Sequence, residues 1–192
     1  MEKDQKREEV VIPLHRPDKK EMLFFFICGI IISVPITLSI AQFLDPLISG
    51  LDTVSAALVS IVLLAPLIEE FSKIFPIFYR HGETQRSIIQ LAIMVGLGFG
   101  LAEFISYVSI GVVWYVRLPG LLFHPASTAI SAYGIASKRP VPFFVLAVGF
   151  HFANNFLVLA NPLPFSASIF VIGLTALTAW NLYRRTKEKI IL

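Results

Sequence analysis

Charged residues are scarce in this sequence, and their scarcity excludes an ordinary water-soluble domain. Asp, Glu, Lys and Arg make up 15% of the 192 residues, whereas hydrophobic residues make up 56%, with 17 Phe among them. Mean hydropathy is +0.76, a value typical of integral membrane proteins. The net charge is only +3 and no basic patch has interleaved aromatic residues, so we expect no nucleic-acid partner.

Cysteine is nearly missing, and both an HExxH motif and a signal-peptide cleavage site are absent. The single cysteine, Cys28, excludes an intrachain disulfide and says nothing about the redox compartment. There is no HExxH motif, which excludes a zinc site of that type. Residues 1–21 carry charges of both signs and no small-residue cleavage site follows them, so we expect a cytoplasmic tail and no secretory signal peptide.

Long apolar runs indicate the fold. A bilayer core of about 30 Å requires roughly 20 apolar residues in a helix, and this length fits several parts of the chain. The predicted spans are residues 22–44, 53–79, 87–116, 118–137, 141–160 and 165–183. Because the connections are short, neighbouring helices should be antiparallel. The sequence therefore predicts an all-α, polytopic membrane helix bundle with about six transmembrane helices and room for additional short ones.

The distribution of basic residues predicts the orientation of the bundle. If the N-terminus is cytoplasmic, the inner segments hold 14 of the 16 Lys and Arg residues, in agreement with the positive-inside rule. The outer side then carries Arg117, which with Trp114 and Tyr115 indicates an interfacial anchor. Both termini should be cytoplasmic. The expected parts are a polar tail at 1–21, a transmembrane domain at 22–183 and a basic tail at 184–192.

Ionisable side chains interrupt the predicted spans at similar depths. A charge near the bilayer centre costs about 2.5 to 3.5 kcal/mol, so it is normally retained for pairing or for function. At about 1.5 Å per residue, all of these side chains fall in one central slab of the membrane. They are Glu69, Glu70 and Lys73 in the second span, Glu103 in the third, His124 in the fourth and His151 in the fifth. Their shared depth predicts one polar site between four helices.

The spacing of three charged residues in the second span would allow one of them to act as a catalytic base. They are Glu69, Glu70 and Lys73. Lys73 is four residues from Glu69 and three from Glu70, so it can reach both carboxylates on one helix face. Two neighbouring carboxylates in a low-dielectric site cannot easily both ionise. One of them should hold a proton while the other, supported by Lys73, acts as a base that activates water.

Histidine and asparagine supply the remaining chemistry of peptide hydrolysis. His151 and Asn155 are four residues apart and can both donate hydrogen bonds to an oxyanion. Asn154, three residues from His151, is the weaker candidate for the same role. Glu103 or His124 is expected to orient the water or to protonate the leaving amine.

Neighbouring residues indicate how these helices pack. Thr128 lies four residues after His124, and Phe99 lies four residues before Glu103, so both can support the site. The glycines at 96–100 form a GxxxG face that allows another helix to approach the backbone closely.

Four motifs, in chain order, resemble those of one protein family. "EEFSK" matches EExxK, "FGLAE" matches FxxxE, "FHPAST" supplies a histidine motif and "HFANN" matches HxxxN. Over roughly residues 60–160 the chain is similar to the PrsW-type intramembrane proteases, within the superfamily that includes the type II CAAX prenyl endopeptidases. The CAAX branch usually has a histidine at the position of Glu103 and an arginine at that of Ile74. The resemblance therefore favours the PrsW branch.

This resemblance implies an endopeptidase that cuts a membrane-anchored protein or peptide within the lipid bilayer. It implies Glu69 as the general base, Glu70 as its partner, and His151 with Asn155 as an oxyanion-stabilising pair. We expect no cofactor in this mechanism. The protein should be an integral, multi-pass protein of a prokaryotic plasma membrane, and its oligomeric state is left open.

Other interpretations of the same residues stay open. His124, His151 and Glu103 would make a zinc set with an open fourth position, so a zinc-dependent protease is one alternative. A proton-coupled transporter uses the same residue types in a proton relay, although no pair of similar halves is evident. An assembly or substrate-recruiting subunit is a third alternative. Each polar residue is also able to serve only in ion pairs or hydrogen bonds between helices.

Overall fold

The computed structural model describes residues 15–79, 84–160 and 167–187. Within these ranges the secondary structure is helical, without β-strands, which confirms the all-α prediction. The helices are α1 (Lys19–Cys28), α2 (Val34–Ile48), α3 (Thr53–Ala57), α4 (Ala65–Tyr79), α5 (Gln85–Ser109), α6 (Trp114–Arg117), α7 (Gly120–Ala136), α8 (Pro140–Ala160) and α9 (Ala167–Arg185). A π-helical segment, Gly29–Ser33, joins α1 to α2, and another, Leu58–Leu64, joins α3 to α4. Residues 1–14 and 188–192 of the predicted tails lie outside the described residues.

The length and apolar character of the helices identify this chain as an integral membrane protein. Among the described residues, the stretches long and apolar enough to cross a membrane are Lys19–Ile48, Thr53–Phe78, Gln85–Ser109 and Pro140–Ala160. They correspond to the first, second, third and fifth predicted spans. The other two predicted spans form α7, with 17 residues, and α9, with 19 residues. Outward-facing side chains such as Phe43 and Leu47 are 79% and 75% exposed, as expected of a surface that lipid covers.

The third predicted span, residues 87–116, extends too far at its C-terminal end. α5 ends at Ser109, and Gly111 follows with a φ of 93°. This left-handed conformation suits glycine and is incompatible with a continuing helix. The chain then forms the short α6 and turns into α7, so Arg117 lies on a separate helix instead of continuing the line of α5.

α7 is the central helix of the bundle. Most of its residues are buried, and many of them are Ala, Ser, Thr or Gly. It packs against α4, α5, α8 and α9. Small side chains allow such close contacts on several sides of one helix, and α7 therefore brings the polar residues of its neighbours together.

The predicted glycine face of α5 does meet another helix. A Cβ atom added to Gly96 would lie 2.6 Å from Pro125 Cα and 2.7 Å from the carbonyl oxygen of His124. Both neighbours belong to the backbone of α7. Since real Cβ contacts are longer than this, only glycine permits the observed separation, which places His124 beside α5.

Candidate active site

Glu69 and Glu70 are adjacent on α4 but lie in different environments, because successive helical residues point about 100° apart. Glu69 lines a cavity of about 560 Å³, and its side chain is 14% exposed. Glu70 is 1% exposed and lies inside the bundle. In each carboxylate Oε2 is buried without a hydrogen-bond partner among the described residues. Glu69, and not Glu70, is thus the carboxylate that lines the cavity.

Lys73 is fully buried and connects α4 to α7. Its Nζ donates to Glu70 Oε1 at 2.6 Å and to Ser127 Oγ at 3.0 Å, and lies 3.2 Å from His124 Nδ1. An ammonium group has three donors, and these contacts use all of them. The predicted contact with Glu70 is present, whereas no bond from Lys73 to Glu69 occurs in the described structure.

His151 is held by the same carboxylate. Its Nδ1 lies 2.8 Å from Glu70 Oε1, and its Nε2 lies 3.6 Å from Glu69 Oε2. Because Glu70 Oε1 also accepts from Lys73, it acts as an acceptor, and Nδ1 of His151 is the donor. Nε2 therefore faces Glu69, either as a lone pair or, in the imidazolium, as a second donor.

Glu103, His124 and Arg117 form the opposite part of the site. His124 Nε2 lies 2.5 Å from Glu103 Oε2, and Arg117 Nη2 donates to Glu103 Oε1 at 2.6 Å. Since the Lys73 ammonium donates to Nδ1 of His124, the ring proton is on Nε2 and is donated to Glu103. Arg117 also lies over the ring of Tyr107, 3.8 Å from its centroid. A chain of contacts thus runs from Arg117 through Glu103, His124 and Lys73 to Glu70.

Phe99 and Thr128 support this arrangement without forming part of the cavity wall. The Phe99 ring centroid is 5.2 Å from that of His124, and Lys73 Nζ lies 5.5 Å from the Phe99 centroid. Thr128 Oγ1 donates to the carbonyl oxygen of His124 at 2.7 Å. These contacts fix the position of α7 and the orientation of the imidazole.

Asn154 and Asn155 lie on the cavity wall contributed by α8. Asn155 Nδ2 donates to the carbonyl oxygen of Ile61 at 2.9 Å, and Asn154 Nδ2 donates to Asn155 Oδ1 at 3.2 Å. Ile61 belongs to the π-helical segment Leu58–Leu64, a form often found at functional sites. Asn155 thus connects α8 to the segment that precedes Glu69.

The cavity collects most of the residues predicted from the sequence. Its wall includes Glu69, Glu103, His124, His151, Asn154 and Asn155. It also includes Tyr107 and Arg117, which sequence reasoning did not assign to a site. The feature that could have indicated Arg117 is its position as the lone basic residue of the predicted outer side, since an isolated charge needs a partner.

Comparison with known proteins agrees with this geometry. Residues 18–180 match a sequence family described as "PrsW family intramembrane metalloprotease". The chain belongs to the PrsW family. Membership implies a hydrolase of the intramembrane protease class that acts on membrane-embedded protein. No curated protein and no solved structure matches the chain significantly.

The family description includes a metal, and the residues present fit one. Glu69, Glu103 and His124 each offer a ligand atom, and these atoms lie within 4.8 Å of one another. Two carboxylate oxygens and an imidazole nitrogen are suitable ligands for zinc, and Glu69 Oε2 has no hydrogen bond to give up. The sequence predicted His124, His151 and Glu103 as the ligands, and the structure groups Glu69 with Glu103 and His124. The prediction of His151 as a ligand stays a prediction. Binding a cation would displace the proton between His124 and Glu103, because metal ligands are deprotonated.

Proposed function

We propose that this PrsW-family protein is an endopeptidase that hydrolyses a peptide bond of a membrane-anchored protein, with Glu69 as the general base. The observation that carries this proposal is the environment of Glu69. Its side chain lines the cavity, and its Oε2 has no hydrogen-bond partner among the described residues and lies 3.6 Å from Nε2 of His151. A general base must lie within reach of the water that it activates. The cavity between apolar helices provides room for water and for an unwound stretch of substrate.

The reaction starts when Glu69 takes a proton from water and the water oxygen bonds to the carbonyl carbon of the scissile peptide. The carbonyl oxygen then carries a negative charge. Asn155 Nδ2 has two hydrogens, of which one is donated to Ile61, so the other is available to the oxyanion. Nε2 of His151 lies beside the same oxygen and donates to it only when the ring is an imidazolium, because Nδ1 already carries the proton of the neutral ring. When the C–N bond breaks, the amine takes the proton from Glu69.

Glu70 and Lys73 are positioning residues in this mechanism. Glu70 accepts from Nδ1 of His151, which directs Nε2 toward the cavity. Lys73 compensates the charge of Glu70 where water cannot. On the other wall, His124 and Glu103 orient the attacking water.

If the family metal is bound, Glu69, Glu103 and His124 are the residues that would hold it. It would supply polarisation of the scissile carbonyl or of the attacking water. We propose the metal-free version, in which Glu69 is the base and Asn155 and His151 are the oxyanion donors, so that none of its steps requires a cation.

The test uses the detergent-purified full chain and a library of membrane-tethered peptides. Wild type is compared with Glu69→Gln and with Asp45→Asn, a matched carboxylate-to-amide change at an exposed position of α2. We expect Glu69→Gln to lower kcat by about 10²- to 10⁴-fold with an unchanged unfolding temperature, and Asp45→Asn to behave as wild type. Wild-type cleavage by Glu69→Gln would overturn the proposal.

A zinc chelator distinguishes the two versions of the mechanism. Activity that survives chelation supports glutamate chemistry alone. Activity that is lost and then restored by zinc assigns Glu69, Glu103 and His124 to the metal. If no peptide in the library is cleaved and the reconstituted protein carries a proton flux, the transporter interpretation replaces the protease.

A further inference from the structure

We infer that Arg117 is a positioning residue of the active site, which holds Glu103 against His124. This inference deepens the proposed function and rests on it. It replaces the prediction of a membrane-interface anchor for this residue. Trp114 and Tyr115, on the same short helix, keep that prediction.

The guanidinium of Arg117 points into the protein. Its Nε is buried and has no hydrogen-bond partner among the described residues, and the side chain is 25% exposed. An interfacial anchor would place this group among lipid headgroups and water. Arg117 instead lines the cavity together with Glu103 and Tyr107.

The bond from Arg117 determines which oxygen of Glu103 faces His124. Nη2 occupies Oε1 at 2.6 Å, and Oε2 is thereby directed to His124 Nε2. A carboxylate can rotate about its last bond, so a single contact with His124 would leave its orientation undetermined. With both oxygens engaged, Glu103 has one orientation.

Tyr107 in turn fixes Arg117. It follows Glu103 by four residues on α5, so the two side chains lie on one helix face. Its ring supports the guanidinium at 3.8 Å, the geometry of a cation–π contact. Arg117 comes from the connection between α5 and α7, and it therefore links this connection to the reacting groups.

Arg117→Gln tests the inference. Loss of a group that orients a functional carboxylate typically costs about 10- to 100-fold in activity, and we expect this loss in kcat with KM within about twofold of wild type. Arg117→Lys keeps the charge but loses the planar donor group, so it should restore only part of kcat. An interfacial anchor would require only the positive charge, which lysine also carries. A kcat of Arg117→Lys equal to that of wild type would therefore overturn the inference.

Arg86→Gln is the matched control. Arg86 also donates one hydrogen bond, to the carbonyl oxygen of Thr186 at 3.0 Å, and also lies over a ring, 5.4 Å from the centroid of Tyr183. It does not line the cavity. We expect Arg86→Gln to change the unfolding temperature and to leave kcat per folded molecule unchanged.

A second measurement is independent of cleavage. The chain has four histidines, so side-chain ¹⁵N NMR of the full-length protein can be assigned with single His→Gln variants. The short bond to Glu103 should give the Nε2 proton of His124 a strongly downfield signal, which Arg117→Gln should shift or remove while Arg86→Gln leaves it in place. An unchanged signal in Arg117→Gln would overturn the inference. If no substrate is cleaved but the signal responds as expected, the proposed function fails and the positioning of Glu103 by Arg117 stands.

Discussion

Replacing Gly96 with alanine should separate α7 from α5 at the active site. The new Cβ would lie 2.6 Å from Pro125 Cα, 2.7 Å from the His124 carbonyl oxygen and 2.8 Å from Thr128 Oγ1. The first two are backbone atoms and cannot rotate away. Because ordinary contact begins at 3.4 Å, α7 has to move by roughly 0.8 Å, the difference between 3.4 and 2.6 Å.

This displacement acts on the shortest hydrogen bond of the site. His124 Nε2 and Glu103 Oε2 are 2.5 Å apart, and a shift of 0.8 Å would take them to about 3.3 Å, beyond the roughly 2.7 to 3.2 Å of a good N–H···O bond. Overpacking of this kind costs about 1 to 3 kcal/mol in stability. A misplacement of about 1 Å in an active site can cost about 10²-fold in rate. We therefore expect Gly96→Ala to lower kcat by about 10- to 100-fold.

The assay measures the unfolding temperature and kcat on the same preparation of Gly96→Ala. Gly149→Ala is the matched control, because a Cβ at this position of α8 would have no atom within 4 Å. Alanine favours a helix over glycine by about 1 kcal/mol, so the control should be as stable as wild type or more so. Wild-type kcat and stability in Gly96→Ala would refute the reasoning, since the close approach of α7 to α5 would then be dispensable.

Two further substitutions test the buried groups. Lys73→Met should destabilise the protein by about 3 to 5 kcal/mol, because it leaves the buried Glu70 charge without the lysine ammonium and with only the hydrogen bond from His151. In chemical denaturation, the Lys73→Met/Glu70→Gln double variant should recover part of this loss, and no recovery would show that the ion pair is not its source. Asn155→Ala should lower kcat by about 10²- to 10³-fold through loss of an oxyanion donor, with little change in KM. An effect of Asn155→Ala confined to KM would instead assign this residue to substrate binding.

Much of the site could be predicted from the sequence because the membrane supplies a common measure of depth. Each span has to cross about the same thickness, so residues at equal distances from their helix ends meet in space. This reasoning placed Glu69, Glu103, His124 and His151 in one slab, and in the structure all four line one cavity. The GxxxG face was predictable for a related reason, since only close helix packing requires two glycines at that spacing.

Depth does not determine how a helix is rotated or how a connection is folded. From its spacing in the sequence, Lys73 could contact either Glu69 or Glu70. In the structure, where α4 packs against α7, Lys73 contacts Glu70. Arg117 was assigned to the outer surface because the predicted third span continued to residue 116. The left-handed Gly111 ends α5 earlier, and no pattern of hydrophobicity reveals a single φ angle.

The unpaired atoms of the site argue against a purely structural ion-pair cluster. A cluster that only holds helices together is most stable when every buried acceptor is bonded, because each unbonded one costs about 1 to 3 kcal/mol. Here Lys73 uses all three donors, while Oε2 of Glu69, Oε2 of Glu70 and Oδ1 of Asn154 have no partner in the described structure. Two of these three residues, Glu69 and Asn154, line the cavity. A cluster that served only to hold the helices together would not gain from unbonded acceptors on two residues of a cavity wall, whereas a hydrolase needs groups there that are free to bind water and substrate.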